Sequence, residues 1–362
     1  DFLQAFWSHR NRYTGNQYRD TPSIVLTELF SDSNINLDRP RIQPYADQFK
    51  DQWRNFSQSR KGDPQREYDW DKPDGEMKRF TAGLMGNTFL EFSNYLRSFS
   101  IKIPITTTNA VSSLGDLIPV TALDFTQGAG LWNPPGTQPK IYSNRMMADT
   151  DLRGEGNLFS ELAFNRIERK PFVVSQWGEP WPSEYRAEMP LWVAAMARFQ
   201  DWQGCIASNY SSFHDPETGH VANPLESFND PCVMGLMPAA ALLFYRGGLS
   251  EARSSVSVIM AYPDKMAFDG DPITPNACQT TRLVDGAKLT VKPGSRASGK
   301  MVFSPTEPVD LDSFFQNRDR DVYYKRDPQR GLVFIDSPQS QAVIGRIHQL
   351  KPGDLTYVDV ET

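Results

Sequence analysis

The sequence predicts an α/β protein. Residues 1–250 read as a parallel array of the kind that closes into a (β/α)8 TIM barrel, and residues 251–362 as a β-rich, sandwich-like module. Three observations carry this. Residues 170–210 run strand, Trp/Pro/Gly-rich loop, amphipathic helix, strand, which is one unit of a parallel α/β array. Short apolar or β-branched runs recur upstream at 23–29, 101–106 and 122–126. From Ser254 onward the helical periodicity stops, and short β-branched runs alternate with turn clusters such as 327–331.

The run 23–29 alternates apolar and polar residues between Pro22 and the polar cluster Ser31-Asp32-Ser33-Asn34. Residues 39–74 are polar and carry Pro40, Pro44, Pro64 and Pro73, predicting a decorated loop with a short helix over 46–57. A helix over 76–99 is predicted by Met85, Phe89, Phe92, Leu96 and Phe99, which share one face. The strand 101–106 ends in Thr107-Thr108-Asn109, and the strand 122–126 leads into 127–135. Residues 157–167 predict a helix. The strand 171–176 is apolar until Ser175 and Gln176, and the loop 177–182 holds Trp177, Glu179 and Trp181. Ser183 is the expected N-cap of a helix reaching about Trp202, with Leu191, Ala195, Phe199 and Trp202 as its apolar stripe. Gly204 breaks it, and the strand 205–208 leads into Asn209 and Tyr210. After a loop holding His214 and His220, Asp230-Pro231 caps a helix over 232–245, which Gly247-Gly248 ends. The β-runs 255–260, 288–291, 322–325, 332–335 and 342–347 complete the chain.

Composition narrows the function classes. A charged content of 23% with a net charge of −6 argues against binding a phosphate backbone, so no nucleic-acid partner is expected. No run approaches the roughly 18 apolar residues of a membrane span. Cys205, Cys232 and Cys278 are too few for a disulfide framework or a zinc site, though one disulfide is open to them. The four histidines, His9, His214, His220 and His348, do not cluster at ligand spacing, so neither metal nor cofactor is implied. Eight Trp suit either a large core or a sugar-stacking cleft.

Several motifs, in order, resemble the clan A (β/α)8 retaining glycoside hydrolases of the β-galactosidase, cellulase and agarase type. His9-x-Asn11-x-Tyr13-Thr14-Gly15 followed by Asp20 is similar to the lead-in to that family's fourth strand. KIPIT at 102–106 resembles the fifth strand, PFVVSxW at 171–177 with YRAE at 185–188 the seventh strand and helix, and DPC…PAAALLFYRG at 230–247 the last helix. The resemblance implies that the five strands are the fourth to eighth of a barrel. It places the acid/base at Asp32, where the family has Glu after Asn, and the nucleophile at Gln176, where the family has Glu. The family's "HxYW" falls on Ala129, Leu131 and Trp132, so its His and Tyr are absent. It further implies a secreted or cell-surface protein.

Retaining hydrolysis needs two carboxyl groups about 5–5.5 Å apart. A carboxamide at 176 cannot form a glycosyl ester, and Asp32 falls about one methylene short of a Glu, where a misplacement of about 1 Å costs about 10²-fold. Glu179, and Glu28 within the first strand, are weaker substitutes; Glu28 is expected to alternate away from the strand end. Three readings stay open. The chain is a catalytically impaired hydrolase relative that binds a β-linked glycan or serves as an extracellular structural element. Alternatively it is an active β-glycosidase whose nucleophile has been exchanged for its isostere Gln176. Or it is a barrel with no glycan site at all. Asn109, Trp132, Trp177, Trp181 and Tyr210 follow strand ends and are the candidate sugar-binding residues. Five parallel strands do not close a barrel, so an N-terminal segment or a second chain is expected to supply the rest. Bare apolar edges at 23–29 and 205–208 would count against that.

Overall fold

The computed structural model describes residues 2–63, 65–109, 111, 113–134, 144–148, 157–211, 223–260, 283–293, 302–303 and 323–356. His214, His220 and Cys278 lie outside them. The chain is a mixed α/β protein that divides into two compact units, the first built from the chain up to Gln127 and the second around Gly128–Ile259 with the later strands.

In the first unit, α1 (Phe2–Ser8), β1 (Thr27–Glu28), α2 (Tyr45–Ser59), α3 (Gly75–Ser98) and β2 (Ile105–Thr106) follow one another. β1 and β2 pair in parallel, Thr27 opposite Ile105 and Glu28 opposite Thr106. Both strands are shorter than the sequence suggests, for local reasons. Residues 21–24 close a turn through Ile24 N–H to Thr21 O at 3.1 Å. The Arg97 guanidinium donates to the carbonyls of Ile101 and Ile103 at 2.6 and 2.8 Å, so a side chain satisfies groups that a strand would pair. α3 is capped by Asp74, whose carboxylate accepts from Glu76 N–H and Met77 N–H at 3.0 and 2.9 Å. Its inner face meets Trp7, Ile101 and Ile105 through Leu96. Nearer its start, Met77 and Phe80 pack on Trp53 of α2.

β3 (Thr126–Leu131) starts where the strand 122–126 was expected to end. Residues 118–123 turn instead, with Leu123 N–H on Val120 O at 3.2 Å. In the second unit β3, β4 (Phe172–Gly178) and β5 (Gly204–Ala207) form one sheet in that order, with α4 (Leu158–Ala163) and α5 (Met189–Phe199) between them in sequence. β4 and β5 are parallel, and their register slips between Val174 and Trp177. α5 begins later than Ser183, after a short 3-10 turn at Arg186–Glu188, with Pro190 in its first turn. Nine of its 11 residues are buried, so it is a core helix and not the amphipathic one expected. The helix expected over 232–245 is two, α6 (Pro231–Met234) and α7 (Met237–Arg246), broken at Gly235–Leu236 ahead of Pro238. Gly247 ends α7 in the left-handed region, φ 67°.

The remaining strands belong to two sheets. β6 (Ser255–Met260), β7 (Lys288–Pro293) and β8 (Val302–Phe303) are ordered β7-β6-β8, and β9 (Tyr324–Asp327), β10 (Leu332–Asp336) and β11 (Gln341–Gly345) form an antiparallel sheet with β10 central. Both are tied to the elements before residue 250. Val291 exchanges backbone hydrogen bonds with Arg166 and Glu168 at 2.7 and 2.8 Å. The buried Gln200 carboxamide donates to Val284 O and Ala287 O, both at 2.7 Å, and accepts from Leu289 N–H at 2.9 Å. Trp192 of α5 donates its indole N–H to the Tyr324 hydroxyl at 3.0 Å.

Within the expected edges exposure is mixed: Val25, ahead of β1, is 67% exposed and Ile206, on the outer strand β5, 51%, whereas Ile24, Leu26, Leu29 and Cys205 are half-buried. Among the described residues no helix is long and apolar enough to cross a membrane.

Candidate functional site

The register slip in β4 decides what its C-terminal end presents. Gln176 lies inside the slip, half-buried, and its Nε2 donates to Ser208 Oγ just beyond β5 at 2.7 Å. The amide is thus held by the neighbouring strand end, and no charge stands at this position. Trp177 is buried, and its indole N–H has no hydrogen-bond partner among the described residues.

Trp132 follows β3 and is buried as well. Its backbone N–H donates to Gly178 O at 3.0 Å, and its indole N–H to Arg145 O at 2.8 Å. The Arg145 guanidinium lies 4.6 Å from the ring centroid, a cation–π contact. Such a ring is already stacked. Ala129 and Leu131, on β3, bring no polar side chain. Of the aromatic residues expected to line a sugar site, Trp181 and Tyr210 are open, 51% and 59% exposed. Trp181 is fixed by its backbone N–H on Pro224 O at 2.7 Å, and Tyr210 by an edge contact with Phe228, centroids 5.3 Å apart.

The sequence placed Glu179 in a loop, as a weaker substitute for the nucleophile. Glu179 follows β4 directly and is buried; its Oε1 accepts from Ser183 Oγ and from Asn133 Nδ2 at 2.8 Å, while Oε2 has no partner. Burial pushes its carboxyl up to about 7, against the pull of Ser183, Asn133 and the Arg186 charge. Ser183 is therefore bound to Glu179 and is not a helix cap. The available signal was an acid set between Gly178 and Pro180 immediately after an apolar strand. Arg186, which also donates to Ser183 O at 2.8 Å, pairs with Asp230 at 2.5 Å. Cys205 and Cys232 are free thiols.

The first unit holds the other half of the expected site. Asp32 is exposed and sits in the left-handed region at φ 53°. Its backbone N–H donates to Asn109 Oδ1 at 3.4 Å, and its Oδ2 accepts from Ser31 Oγ at 3.0 Å. Ser33 N–H donates to Thr108 Oγ1 at 2.9 Å, so the turns after β1 and β2 are stitched together. Asn109 is buried and spends its carbonyl on this turn. Glu28, on β1, is exposed. Partial desolvation raises its carboxyl; a Gln127 hydrogen bond opposes the rise and the Asp32 charge adds to it. Among the described residues, no group of three His, Cys, Asp or Glu is arranged to hold a metal ion.

The structure thus brings Asp32 and Asn109 together, and Gln176, Trp177 and Trp132 around the end of β4, with Trp181 and Tyr210 exposed beyond. No family model matches the chain. Neither a curated protein nor a solved structure matches it.

Proposed function

We propose that this chain is a catalytically impaired relative of the retaining glycoside hydrolases that binds a β-linked glycan, or serves as a structural element of an extracellular assembly. The observation that carries the reading is the Gln176 carboxamide, fixed on Ser208 at the end of β4, where a retaining enzyme needs a carboxylate. Fold-level support comes from the parallel pairs β1–β2 and β4–β5 and from the order β3-β4-β5, which follow the succession of a (β/α)8 barrel. Trp181 and Tyr210 are the open aromatic faces on which a pyranose would stack; Trp132 is taken up by Arg145.

The decisive experiment compares the chain with its Gln176→Glu variant on a panel of β-linked oligo- and polysaccharides. Binding without turnover by both proteins is the expected result, because Asp32 is exposed and short and β3 has lost its polar partners. Hydrolysis by the variant alone would establish the second reading, an otherwise intact glycosidase silenced at one residue. Absence of binding by either protein overturns the glycan-binding reading.

A further inference from the structure

A cluster of cationic side chains surrounds a cavity in the first unit, beside α2, away from the strand ends discussed above. A cavity of about 480 Å³ is lined by Arg39, Arg41, Lys50, Arg54 and Arg66, against two acids, Asp47 and Glu67. That local excess of positive charge stands out in a chain of net charge −6. Arg66 is committed to Asp74 and Glu76, and Arg54 has Asp51 at 3.7 Å. Arg39, Arg41 and Lys50 have no carboxylate at ion-pair distance among the described residues, and all three are exposed. Lys50 and Arg54 are four residues apart on α2 and project from the same face.

The wall of this cavity is aromatic and fixed. The Trp70 ring is held between Phe49 and Tyr68, each with its centroid 4.6 Å away, and Trp53 anchors the same segment by donating its indole N–H to Arg66 O at 2.7 Å. Trp70 also lines two further cavities of about 310 and 620 Å³, the first with Asp38 in its wall and the second bounded by Arg39 and Arg41 together with Asp69 and Asp71, so the cationic excess belongs to the 480 Å³ cavity. Trp70 remains half-exposed. Free guanidinium groups beside a rigid, part-open indole fit a ligand that has both a face to stack and anionic substituents at its rim.

We propose that the cavity beside α2 binds an acidic saccharide, a pyranose unit carrying carboxylate or sulfate groups, with Trp70 as the stacking face and Arg39, Arg41 and Lys50 as the anion partners. The choice of a saccharide over other ring-bearing anions rests on the glycan-binding reading above; the cationic, aromatic cavity itself does not.

The test is titration calorimetry on the full chain with four probes: oligogalacturonate, sulfated dextran oligosaccharide, neutral dextran of the same length, and inorganic sulfate. An Arg39→Ala/Arg41→Ala double variant, a Lys50→Ala variant and a Trp70→Phe variant are measured beside it. The proposal expects one or both acidic oligosaccharides to bind and the neutral one not to. It expects affinity to fall about tenfold or more in the double variant, and binding to weaken as salt rises. Lys50→Ala tests the anion arm with an exposed side chain, so loss of fold does not explain its effect. Trp70→Phe should weaken the oligosaccharides and leave inorganic sulfate unchanged. Binding of sulfate as tight as that of the oligosaccharides, acidic-saccharide binding that survives both cationic variants, or no binding at all would each overturn it. A Trp181→Ala variant separates the two sites: it should leave acidic-saccharide binding intact while weakening any neutral β-glycan bound at the end of β4.

Discussion

At the scale of single residues, Glu179 is the group whose behaviour follows most directly from its surroundings. Its folded carboxyl titrates at about 7, above the unfolded value, so the folded state keeps a proton that the unfolded chain has released. The stability this confers is fully present below the usual carboxylate range and is lost as pH rises to about 7, by about 3 kcal/mol in all. Urea denaturation between pH 4.5 and 8 should therefore show the wild type losing stability relative to Glu179→Gln as pH rises. A constant difference between the two across that range would refute the shift. The resemblance singled out Gln176 and Asp32, and the strand ends Asn109; the contacts they make, Gln176 on Ser208 and the Asp32 backbone N–H on Asn109, came only with the structure. Sequence reasoning could not find the stacking of Arg145 on Trp132, nor the two hydrogen bonds on Glu179 from Ser183 and Asn133. Those partners lie 4 to 46 positions away and depend on how the chain returns.

Elements were legible where the chain itself carries the signal. Asp230-Pro231 caps α6, and Gly247 closes α7 with a positive φ that only glycine adopts at no cost. A Cβ added there would also stand 3.2 Å from the Arg198 guanidinium. Gly247→Ala should accordingly lower stability by about 1 kcal/mol or more, read as a reduced denaturation midpoint with unchanged cooperativity. An unchanged midpoint would mean that the turn relaxes freely. Strand lengths were not legible. β1 and β2 keep two residues each, because Arg97 and the turn at 21–24 take up backbone groups that periodicity assigned to a ladder. The polarity of α5 was misread for a related reason: Trp192, Val193 and Met196, off the expected stripe, are buried too, Trp192 through its hydrogen bond to Tyr324.

For the whole molecule, the change of character near residue 250 is real in sequence, yet buried contacts run across it. Trp192 and Phe199 of α5 meet Tyr324, the latter with centroids 4.9 Å apart, and Tyr324 is buried. A chain cut after residue 250 would leave the Trp192 indole N–H and both ends of the Gln200 carboxamide without partners, and each such group costs about 1–3 kcal/mol if it stays buried. The truncated protein should lose its cooperative thermal transition. A sharp transition near that of the full chain would show the two parts to be independent. The Gln200 clamp has one more consequence. Its partners Val284, Ala287 and Leu289 lie 84 to 89 positions along the chain, so closing that loop costs configurational entropy before any contact repays it. These contacts can form only after residues 284–289 exist, so on a ribosome the distal strands must emerge before the central helix acquires its last neighbours.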